Sequence, residues 1–457
     1  MLFVLLLLVV VIALLGAVHW YVWRRLVRDV TVPGSVARRA GTVALVVLPL
    51  LALGALTAGR AGAPFWLQRA VAWPGFLWLA LLLYVVLALV AGEAVRPLLR
   101  RFLERRAARG PAAAGAPAAG TPTEAPTGRP TEAPATRPTE APAPVAVAAG
   151  APQVAAAPLG ETAAATPPIP EPSPAPGTTT QAEVSRRLFV SRVVGGAAAA
   201  AALGTVSYGT YGVLRGPRVK RVTVPLAKLG RAAHGYRIAV VSDIHLGPIL
   251  GRAHTQRIVD AINAAQPDLV AVVGDLVDGT VENLGPAAEP LARLRARDGS
   301  FFVTGNHEYF SGAAEWVDHV RELGLRPLRN ERVEIAGFDL AGVNDVAGEN
   351  YGDGPDFTAA LGDRDRTRAA VLLAHQPVMI HDAVRHGVDL QLSGHTHGGQ
   401  LWPGNHLAEL ANPTVAGLER YGDTQLYVSR GAGAWGPPVR VGAPSDITLV
   451  ELASRQA

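Results

Sequence analysis

The C-terminal half of the sequence contains nine polar residues that could hold metal ions or move protons, in short groups that follow apolar runs. The chain contains no cysteine, which excludes thiolate metal sites and cysteine nucleophiles within it. Mixed oxygen and nitrogen donors suit cations such as manganese, iron or zinc. The candidates are Asp243, His245, Asp275, Asp278, Asn306, His307, His375, His395 and His397. These residue types predict metal-assisted chemistry.

The elements around these residues alternate between strand and helix. The pattern predicts strands at 236–242, 268–273 and 300–304, and helices at 255–265, 290–297 and 314–323. Further strands are predicted at 333–343, 370–374, 389–393, 425–429 and 447–452. Such alternation indicates an α/β layer fold.

The candidate residues stand at the C-terminal ends of the predicted strands, where open α/β sheets bind their ligands. Asp243 and His245 follow the first strand, and His395 and His397 follow a later one. On an extended chain, residues i and i+2 point the same way. We therefore expect Asp243 and His245 to be able to share one ion.

Five motifs resemble the five blocks of the calcineurin-like metallophosphoesterases, in that family's order and over about 219–452. They are Asp243-Ile244-His245, Gly274-Asp275-Leu276-Val277-Asp278, Gly305-Asn306-His307-Glu308, Ala374-His375-Gln376-Pro377 and Gly394-His395-Thr396-His397. The longer stretches 305–312 and 393–400 resemble the membrane-attached branch. That branch includes transmembrane proteins with a metallophosphoesterase domain and bacterial relatives exported by twin-arginine signals.

The resemblance implies a four-layer α/β/β/α sandwich of two mixed sheets and two divalent metal ions. One ion would be held by Asp243, His245, Asp275 and His397, and the other by Asp275, Asn306, His375 and His395. Asp275 would bridge them. Such a pair neutralises a phosphate ester and supplies a hydroxide at neutral pH. The sequence leaves open whether the ions are manganese, iron or zinc.

The resemblance assigns His307 to catalysis instead of to metal binding. His307 would protonate the leaving oxygen or bond the phosphoryl group, and Asp278 would orient its ring. Taken singly, Asp243 or Asp278 could cap a turn and His375 could be a core histidine, but their joint order favours a site. Gly279 stands where the Ser/Thr protein phosphatases carry an arginine, which weakens a protein-phosphatase interpretation.

The N-terminal half is typical of a membrane protein. The chain is 49% apolar and only 17% charged, against about 25% charged in an average soluble domain. Apolar runs at 2–23, 41–59 and 75–92 approach the length of a membrane-spanning helix, so residues 1–106 predict three such helices. A cleavable signal peptide is the alternative for the first run. Arg24 and Arg25 follow that run directly, which favours a retained anchor.

The charges of the two halves differ in sign. Residues 1–215 carry 19 Lys or Arg against 9 Asp or Glu, whereas residues 216–457 carry 23 against 28. The basic residues flank the apolar runs and predict an external N-terminus with a cytoplasmic chain after the third helix. An acidic folded half is unlike a nucleic-acid-binding domain, so no nucleic-acid partner is expected.

Two segments separate these halves. Residues 107–184 are rich in Ala, Pro and Thr and predict a disordered linker. Residues 185–215 contain Arg186 and Arg187 before an apolar run, which fits a twin-arginine-like signal or a fourth transmembrane helix. Both alternatives place the catalytic domain, residues 216–457, outside the cytoplasm. Basic residues at 215, 218, 220 and 221 argue against that orientation.

These patterns predict a multi-pass protein of the cell membrane that hydrolyses a phosphoric ester or a pyrophosphate bond. Its similarity to UDP-2,3-diacylglucosamine hydrolase-type and phospholipid headgroup hydrolases implies a lipid-linked substrate and contact with membrane lipids. A phosphodiesterase for soluble nucleotides or small diesters is an alternative, as is a non-catalytic membrane receptor on the same fold. The sequence names neither the substrate nor the oligomeric state.

Overall fold

The computed structural model describes residues 2–108 and 181–455. The expected linker, 107–184, lies almost wholly outside the described residues. Contacts divide the chain into one unit of Met1–Arg100 with Arg186–Ala457 and a second unit of Arg101–Ser185. The described parts of the second unit, 101–108 and 181–185, are helical. Both sheets and all nine candidate residues lie in the first unit.

Four long helices precede the α/β region and seven short ones belong to it, among the described residues. The long helices are α1 (Leu2–Trp23), α2 (Val36–Thr57), α3 (Phe65–Ala108) and α4 (Gln181–Leu214). The short helices are α5 (Arg252–Ala265), α6 (Val281–Ala288), α7 (Asn306–Ser311), α8 (Ala313–Glu322), α9 (Phe357–Leu361), α10 (Ile380–Arg385) and α11 (Gly404–Ala411).

Two six-stranded sheets form the centre of the α/β region. The first has the order β1-β12-β2-β3-β4-β5 and consists of β1 (Arg218–Leu226), β2 (Tyr236–Val241), β3 (Leu269–Val273), β4 (Ser300–Val303), β5 (Arg326–Pro327) and β12 (Asp446–Ser454). The second has the order β10-β11-β9-β8-β7-β6 and consists of β6 (Glu331–Ile335), β7 (Phe338–Gly342), β8 (Ala369–Leu373), β9 (Leu390–Ser393), β10 (Gly417–Tyr421) and β11 (Thr424–Val428). Both sheets mix parallel and antiparallel pairs.

Three apolar clusters show that the sheets pack face to face with helices on both outer sides. One cluster joins side chains of both sheets, such as Ile238 and Val371. A second packs α5 and α8 against the first sheet, and a third packs α9 and α10 against the second. The predicted four-layer sandwich of two mixed sheets is therefore confirmed. Strands β3 and β8 read as unbroken apolar runs because they are buried on both faces.

Two predicted elements were wrong in detail. Residues 333–343 form the hairpin of β6 and β7 instead of one strand, because Gly337 turns the chain at φ 100°. The helix predicted at 290–297 is displaced towards the N-terminus. Helix α6 comes first and is followed by a 3₁₀ turn at Glu289–Arg293. The helix lies earlier than predicted because the apolar side chains that it buries begin at Leu284.

Four helices have the length and composition to cross a membrane: Leu5–Arg28, Val36–Thr57, Phe65–Arg106 and Arg186–Leu214. Parts of α1, α3 and α4 share an apolar cluster. Close packing at Gly75 joins α2 and α3, since a Cβ there would lie 2.4 Å from the carbonyl oxygen of Leu51. The 44 residues of α3 extend about 66 Å at 1.5 Å per residue.

Trp316 of α8 fixes the loop that follows Asp278. Its side chain is fully buried, and its Nε1 donates to the carbonyl of Gly279 at 2.8 Å. We expect Trp316→Ala to lower the free energy of unfolding by about 3–5 kcal/mol, because it leaves a large cavity. Urea denaturation of the detergent-solubilised chain measures this change. Trp316→Phe is the matched control and should lose less, about 1–3 kcal/mol, by leaving one buried carbonyl unpaired. A loss below about 1 kcal/mol for the alanine variant would contradict this packing role.

Candidate metal centre

The carboxyl ends of five strands bring the nine candidate residues to one place. Asp243 and His245 follow β2, and Asp275 follows β3, with Asp278 three residues further. Asn306 and His307 follow β4, His375 follows β8, and His395 and His397 follow β9. The expected position beyond the strand ends is what the structure shows.

Two of the three compact groups of ligand atoms consist of expected metal ligands, and the third joins His245 to Asp278 and His307. One contains Asp243, His245 and His397, and the other contains Asp275, His375 and His395, with atoms in each group within 4.8 Å of one another. Asp275 Oδ2 lies 3.1 Å from His375 Nε2 and 3.8 Å from His245 Nε2, so it stands between the groups. Asn306 Oδ1 lies 3.0 Å from His395 Nδ1, beside the second group.

The backbone of these loops is not extended as the Asp-x-His spacing had suggested. Asp243, His245 and Asp275 have φ of 51°, 47° and 51°, and His395 and His397 have φ of 74° and 53°. This left-handed conformation costs a residue other than glycine about 1–3 kcal/mol. The two ends of the Asp-x-His motif still meet at one group, but a left-handed turn aims them there. The interpretation from i, i+2 alternation was therefore wrong.

Glu308 holds two of these loops together, and its place after Asn306 and His307 was the only sequence signal for this role. Its buried carboxylate accepts hydrogen bonds from the backbone N–H of Gly305 at 2.6 Å, Leu276 at 2.8 Å and Asp275 at 3.0 Å. Burial, and then the charge of Asp275, raise its pKa to about 7. A Cβ on Gly305 would lie 2.3 Å from Asp275 Oδ1, so only glycine allows this approach.

Arg440 is a second residue that sequence reasoning missed. It is buried and donates to the carbonyl oxygens of Gly433 at 2.7 Å and His397 at 3.0 Å, and its Nη2 lies 3.0 Å from His397 Nδ1. Burial lowers its pKa to about 10, so the group remains charged at neutral pH. An arginine within the Gly- and Pro-rich stretch 436–444 was the only available signal.

Hydrogen bonds orient two of the imidazoles in the way that metal sites require. His375 Nδ1 lies 2.9 Å from the carbonyl of Val273, and His245 Nδ1 lies 3.1 Å from Asp278. Each therefore presents Nε2 to the group, as ligating histidines do. His375 Nε2 is buried and has no hydrogen-bond partner, although it lies beside Asp275. A buried imidazole nitrogen this close to a carboxylate oxygen is placed where the two could share a cation.

His397 departs from this pattern. Its Nδ1 faces Arg440, and a guanidinium only donates hydrogen bonds. This contact favours the hydrogen on Nε2, so a cation bound there must displace that hydrogen or shift the arginine. Burial, and then the charges of His245 and Arg440, hold the pKa of His397 well below its usual range, which keeps the ring uncharged.

Buried carboxylates and imidazoles shift one another's pKa values in the candidate metal centre. Burial alone would raise the pKa of Asp275, but His375, His307 and His245 lower it below its ordinary value. Burial lowers the pKa of His375, yet Asp275 and Asp243 raise it well above 6.5. A further carboxylate, Asp345, follows β7 and acts on His375 in the same sense. Its Oδ1 accepts from Gln376 at 2.9 Å, while its Oδ2 is buried without a partner.

His307 and Asp278 lie beside the first group, and Asp278 contacts His245 of that group as well as His307. His307 Nδ1 lies 2.6 Å from Asp278 Oδ1, and its Nε2 lies 3.9 Å from Asp275 Oδ2. Burial lowers the pKa of His307, but the bond to Asp278 and the carboxylate charges raise it to about 9. The ring can therefore carry a proton at neutral pH.

A cleft of about 990 Å³ opens above the group. Five candidate residues line it, namely Asp275, Asn306, His307, His395 and His397, and Thr396, Gln400 and Asn412 are further polar lining residues. Its remaining lining residues include the following, most of them apolar: Arg60, Leu83, Phe310, Leu401, Pro403, His406, Leu407, Ala408, Trp435 and Pro437. His406, on α11, is an exposed side chain of this lining. Tyr309, which follows Glu308 in the chain, is buried, and its hydroxyl donates to Asp353.

Comparison with known proteins agrees with the motifs. The family model for calcineurin-like phosphoesterases matches residues 236–399. A "Transmembrane protein with metallophosphoesterase domain" from Danio rerio is 39% identical over 259 residues, or 54% of this chain and 59% of that protein. An "Uncharacterized metallophosphoesterase" from Aquifex aeolicus is 35% identical over 243 residues, or 52% of this chain and 92% of that protein. Among solved structures, a dimetal phosphatase from Danio rerio aligns with a TM-score of 0.30 and 13% identity over 47% of this chain and 91% of that one.

The chain therefore belongs to the calcineurin-like phosphoesterase family, which confirms the resemblance carried by its motifs. The matched segment contains all nine candidate residues, whereas Arg440 lies beyond it. The chain spans about 59% of the length of the Danio rerio relative.

The bond between His307 and Asp278 predicts a pH-dependent stability. His307 has a pKa raised from 6.5 to about 9, so its bond stabilises the fold fully below pH 6.5 and loses this effect as the pH rises through about 9. In chelator-treated protein, we expect Asp278→Asn to lower the unfolding temperature most between pH 5 and 6.5. The difference from the unaltered chain should shrink above pH 9.

The exposed pair of Asp318 and Arg321 offers the control, because Asp318 is 73% exposed and contacts no histidine of the site. Asp318→Asn should give a small difference that does not change between pH 5 and 9. A pH-independent effect of Asp278→Asn would show that this carboxylate does not raise the pKa of His307.

Proposed function

We propose that this protein is a two-metal phosphoric ester hydrolase anchored in a membrane. The observation that carries this proposal is the position of Asp275, which stands between two groups of metal-competent side chains at the base of a cleft. A bridging carboxylate between two ligand sets suits catalysis with paired cations. Membership of the calcineurin-like phosphoesterase family supports the same reaction class.

In this proposal the chain holds two divalent cations, one in each ligand set. Asp243, His245, Asp275 and His397 form the first set. Asp275, Asn306, His375 and His395 form the second. When bound, the cations would neutralise the phosphoryl oxygens and favour an attacking hydroxide. Manganese, iron and zinc all match this mixture of donors, and nothing in the donor set selects one.

His307 and Asp278 serve the leaving group in this scheme. His307 lies at the cleft and can carry its proton on Nε2 while Nδ1 bonds Asp278. It donates that proton to the leaving oxygen as the P–O bond breaks. Asp278 fixes the ring and stabilises its charge, as a carboxylate does for a catalytic imidazole.

The substrate we propose is a lipid-linked phosphoric ester or pyrophosphate. The cleft has a largely apolar wall and includes Leu83 of α3, which supports a substrate with an apolar part. Hydrolysis of soluble nucleotides or small diesters on the same site is the competing activity. A receptor without turnover would be expected to lack one or more ligands, and all seven proposed ligands are present.

We also propose that the protein crosses the cell membrane several times and faces outward with its catalytic domain. One reason is that arginines of three helical segments lie at the same end of the bundle. Arg25 Nη2 bonds Glu93 at 2.9 Å, and Arg192 donates to the carbonyl of Val30 at 3.1 Å. These residues gather at one end of the bundle, while the catalytic domain begins after the other end of α4. Arginine-rich ends favour the cytoplasm. The packing of α4 in the apolar cluster supports a retained fourth helix over a cleaved signal.

Asp275→Asn tests the two-metal site. We expect turnover of bis(p-nitrophenyl) phosphate to fall by several orders of magnitude, because the bridging charge that holds both cations is lost. Metal content measured by atomic emission should fall with it. Asp389→Asn is the control, since Asp389 is also buried but bonds Lys228 and Ala370 away from the site. Unchanged turnover in Asp275→Asn would refute the proposed site.

His307→Ala separates proton transfer from metal binding. We expect the metal content to be retained. For an ester whose leaving group needs protonation, kcat should fall by about 10²–10⁴, the range for general acid catalysis. His381→Ala is the control, because His381 is exposed and packs against Tyr421. Loss of metal in His307→Ala would instead make this histidine a ligand. A chromogenic ester with a good leaving group should reduce the defect, since it needs less protonation.

A further inference from the structure

A helix without a single buried residue stands at the rim of the cleft. This helix, α11, exposes 71% of Leu407 and 84% of Leu410. The two leucines are three residues apart and so share one face, whereas His406 and Glu409 are polar. Exposed apolar groups that cluster in this way mark surfaces for binding another apolar body.

Other exposed apolar side chains extend this face around the cleft. Phe310 is 63% exposed, and Trp402 and Trp435 are each 52% exposed. Phe310, Leu407 and Trp435 line the cleft itself. Tryptophan is enriched where proteins meet the interface between membrane and water. We call this surface the α11 face; it consists of Phe310, Trp402, Leu407, Leu410 and Trp435.

The same cleft reaches a candidate membrane span. Leu83 lies within the apolar span Phe65–Arg106 and lines the cleft. The next residue, Tyr84, donates from its hydroxyl to the carbonyl of Trp402 at 3.0 Å. Arg60, from the connection between α2 and α3, also lines the cleft. The α11 face is therefore continuous with a helix that has the composition of a membrane span.

We propose that the α11 face inserts into the bilayer leaflet next to the catalytic domain and that the cleft opens sideways into this leaflet. A phosphate ester with an acyl chain then enters from the bilayer, with its chain along Leu83 and Leu407 and its phosphate at the histidines. Arg60 provides a positive charge for a second anionic group of the headgroup. The substrate part of this inference rests on the proposed function, whereas the insertion of the α11 face does not.

We favour lipid over a second copy of the chain or another protein because the α11 face is continuous with the apolar surface of α3. A protein partner would have to cover α11 beside a helix that is itself apolar enough to be surrounded by lipid. Lipid covers both surfaces without a gap.

Fluorescence tests the insertion without any enzyme assay. The chain has no cysteine, so Leu410→Cys carries its only thiol for an environment-sensitive NBD label. Asp363→Cys is the control; Asp363 is 83% exposed and contacts Arg332 of β6, at the sheet edge opposite β10. The full chain is reconstituted in nanodiscs of phosphatidylcholine and phosphatidylglycerol, with and without doxyl-labelled lipid.

We expect a blue-shifted emission at position 410 that doxyl lipid quenches, and water-like, unquenched emission at position 363. Water-like emission at 410 would overturn the insertion. A blue shift at 410 without quenching by doxyl lipid would also overturn it, because a second copy or another protein would then cover the face.

Activity tests the sideways entry of substrate. The measured quantity is the ratio of the rate on phosphatidyl-p-nitrophenol in nanodiscs to the rate on soluble bis(p-nitrophenyl) phosphate. We expect Leu410→Glu to lower this ratio by about tenfold or more, because a charge resists insertion. Leu410→Trp keeps an apolar interfacial side chain and should preserve the ratio. An unchanged ratio in Leu410→Glu would overturn this route. A native chain that cleaves neither ester would instead overturn the proposed function, and the fluorescence result would still decide the insertion.

Discussion

Negative charge buried at the meeting point of two sheets is the constraint on which the structure depends. Asp243 is fully buried and Asp275 is 2% exposed. An isolated carboxylate in such a place would be neutral or strongly destabilising. Here imidazoles crowd around both, and their charges hold the pKa of Asp275 below its ordinary value despite burial. The loops at the strand ends therefore have to deliver nitrogen donors to these oxygens, and cations would complete the compensation.

The geometry of those loops follows from this demand. A strand that ended normally would turn alternate side chains away from each other, whereas left-handed residues redirect them into one small volume. Such strain persists only where the surroundings enforce it. Glu308 ties the loops after β3 and β4, and Arg440 fixes His397 from behind. Glu308 bonds backbone N–H groups, and Arg440 bonds backbone carbonyls and the His397 ring, so both stabilise the shape of the site without joining the proposed ligand sets.

The long helices and the catalytic domain of the described chain pack against each other. Val439 and Leu401 of the catalytic domain belong to the same apolar cluster as α3 and α4. Gly209 of α4 approaches Arg440 so closely that a Cβ would lie 2.8 Å from its carbonyl oxygen. The segment that carries Arg440 thus touches the proposed metal site on one side and a membrane-type helix on the other. This arrangement explains how the bundle can form part of the cleft wall instead of serving only as an anchor.

The sequence by itself determined the types and order of the candidate residues, the apolar spans and the alternation that predicts an α/β layer fold, whereas the two-sheet sandwich was implied by the resemblance of the five motifs to a known family. These are local patterns, and a strand such as β3 is apolar throughout because both of its faces are buried. Only the tertiary structure decided the left-handed loops, the brace of Glu308, the contact of Arg440 with His397 and the presence of Leu83 in the cleft. The last three of these depend on residues that are distant in sequence: 308 and 275, 440 and 397, and 83 and 397. Their meeting is fixed by how the layers pack, which no local periodicity records.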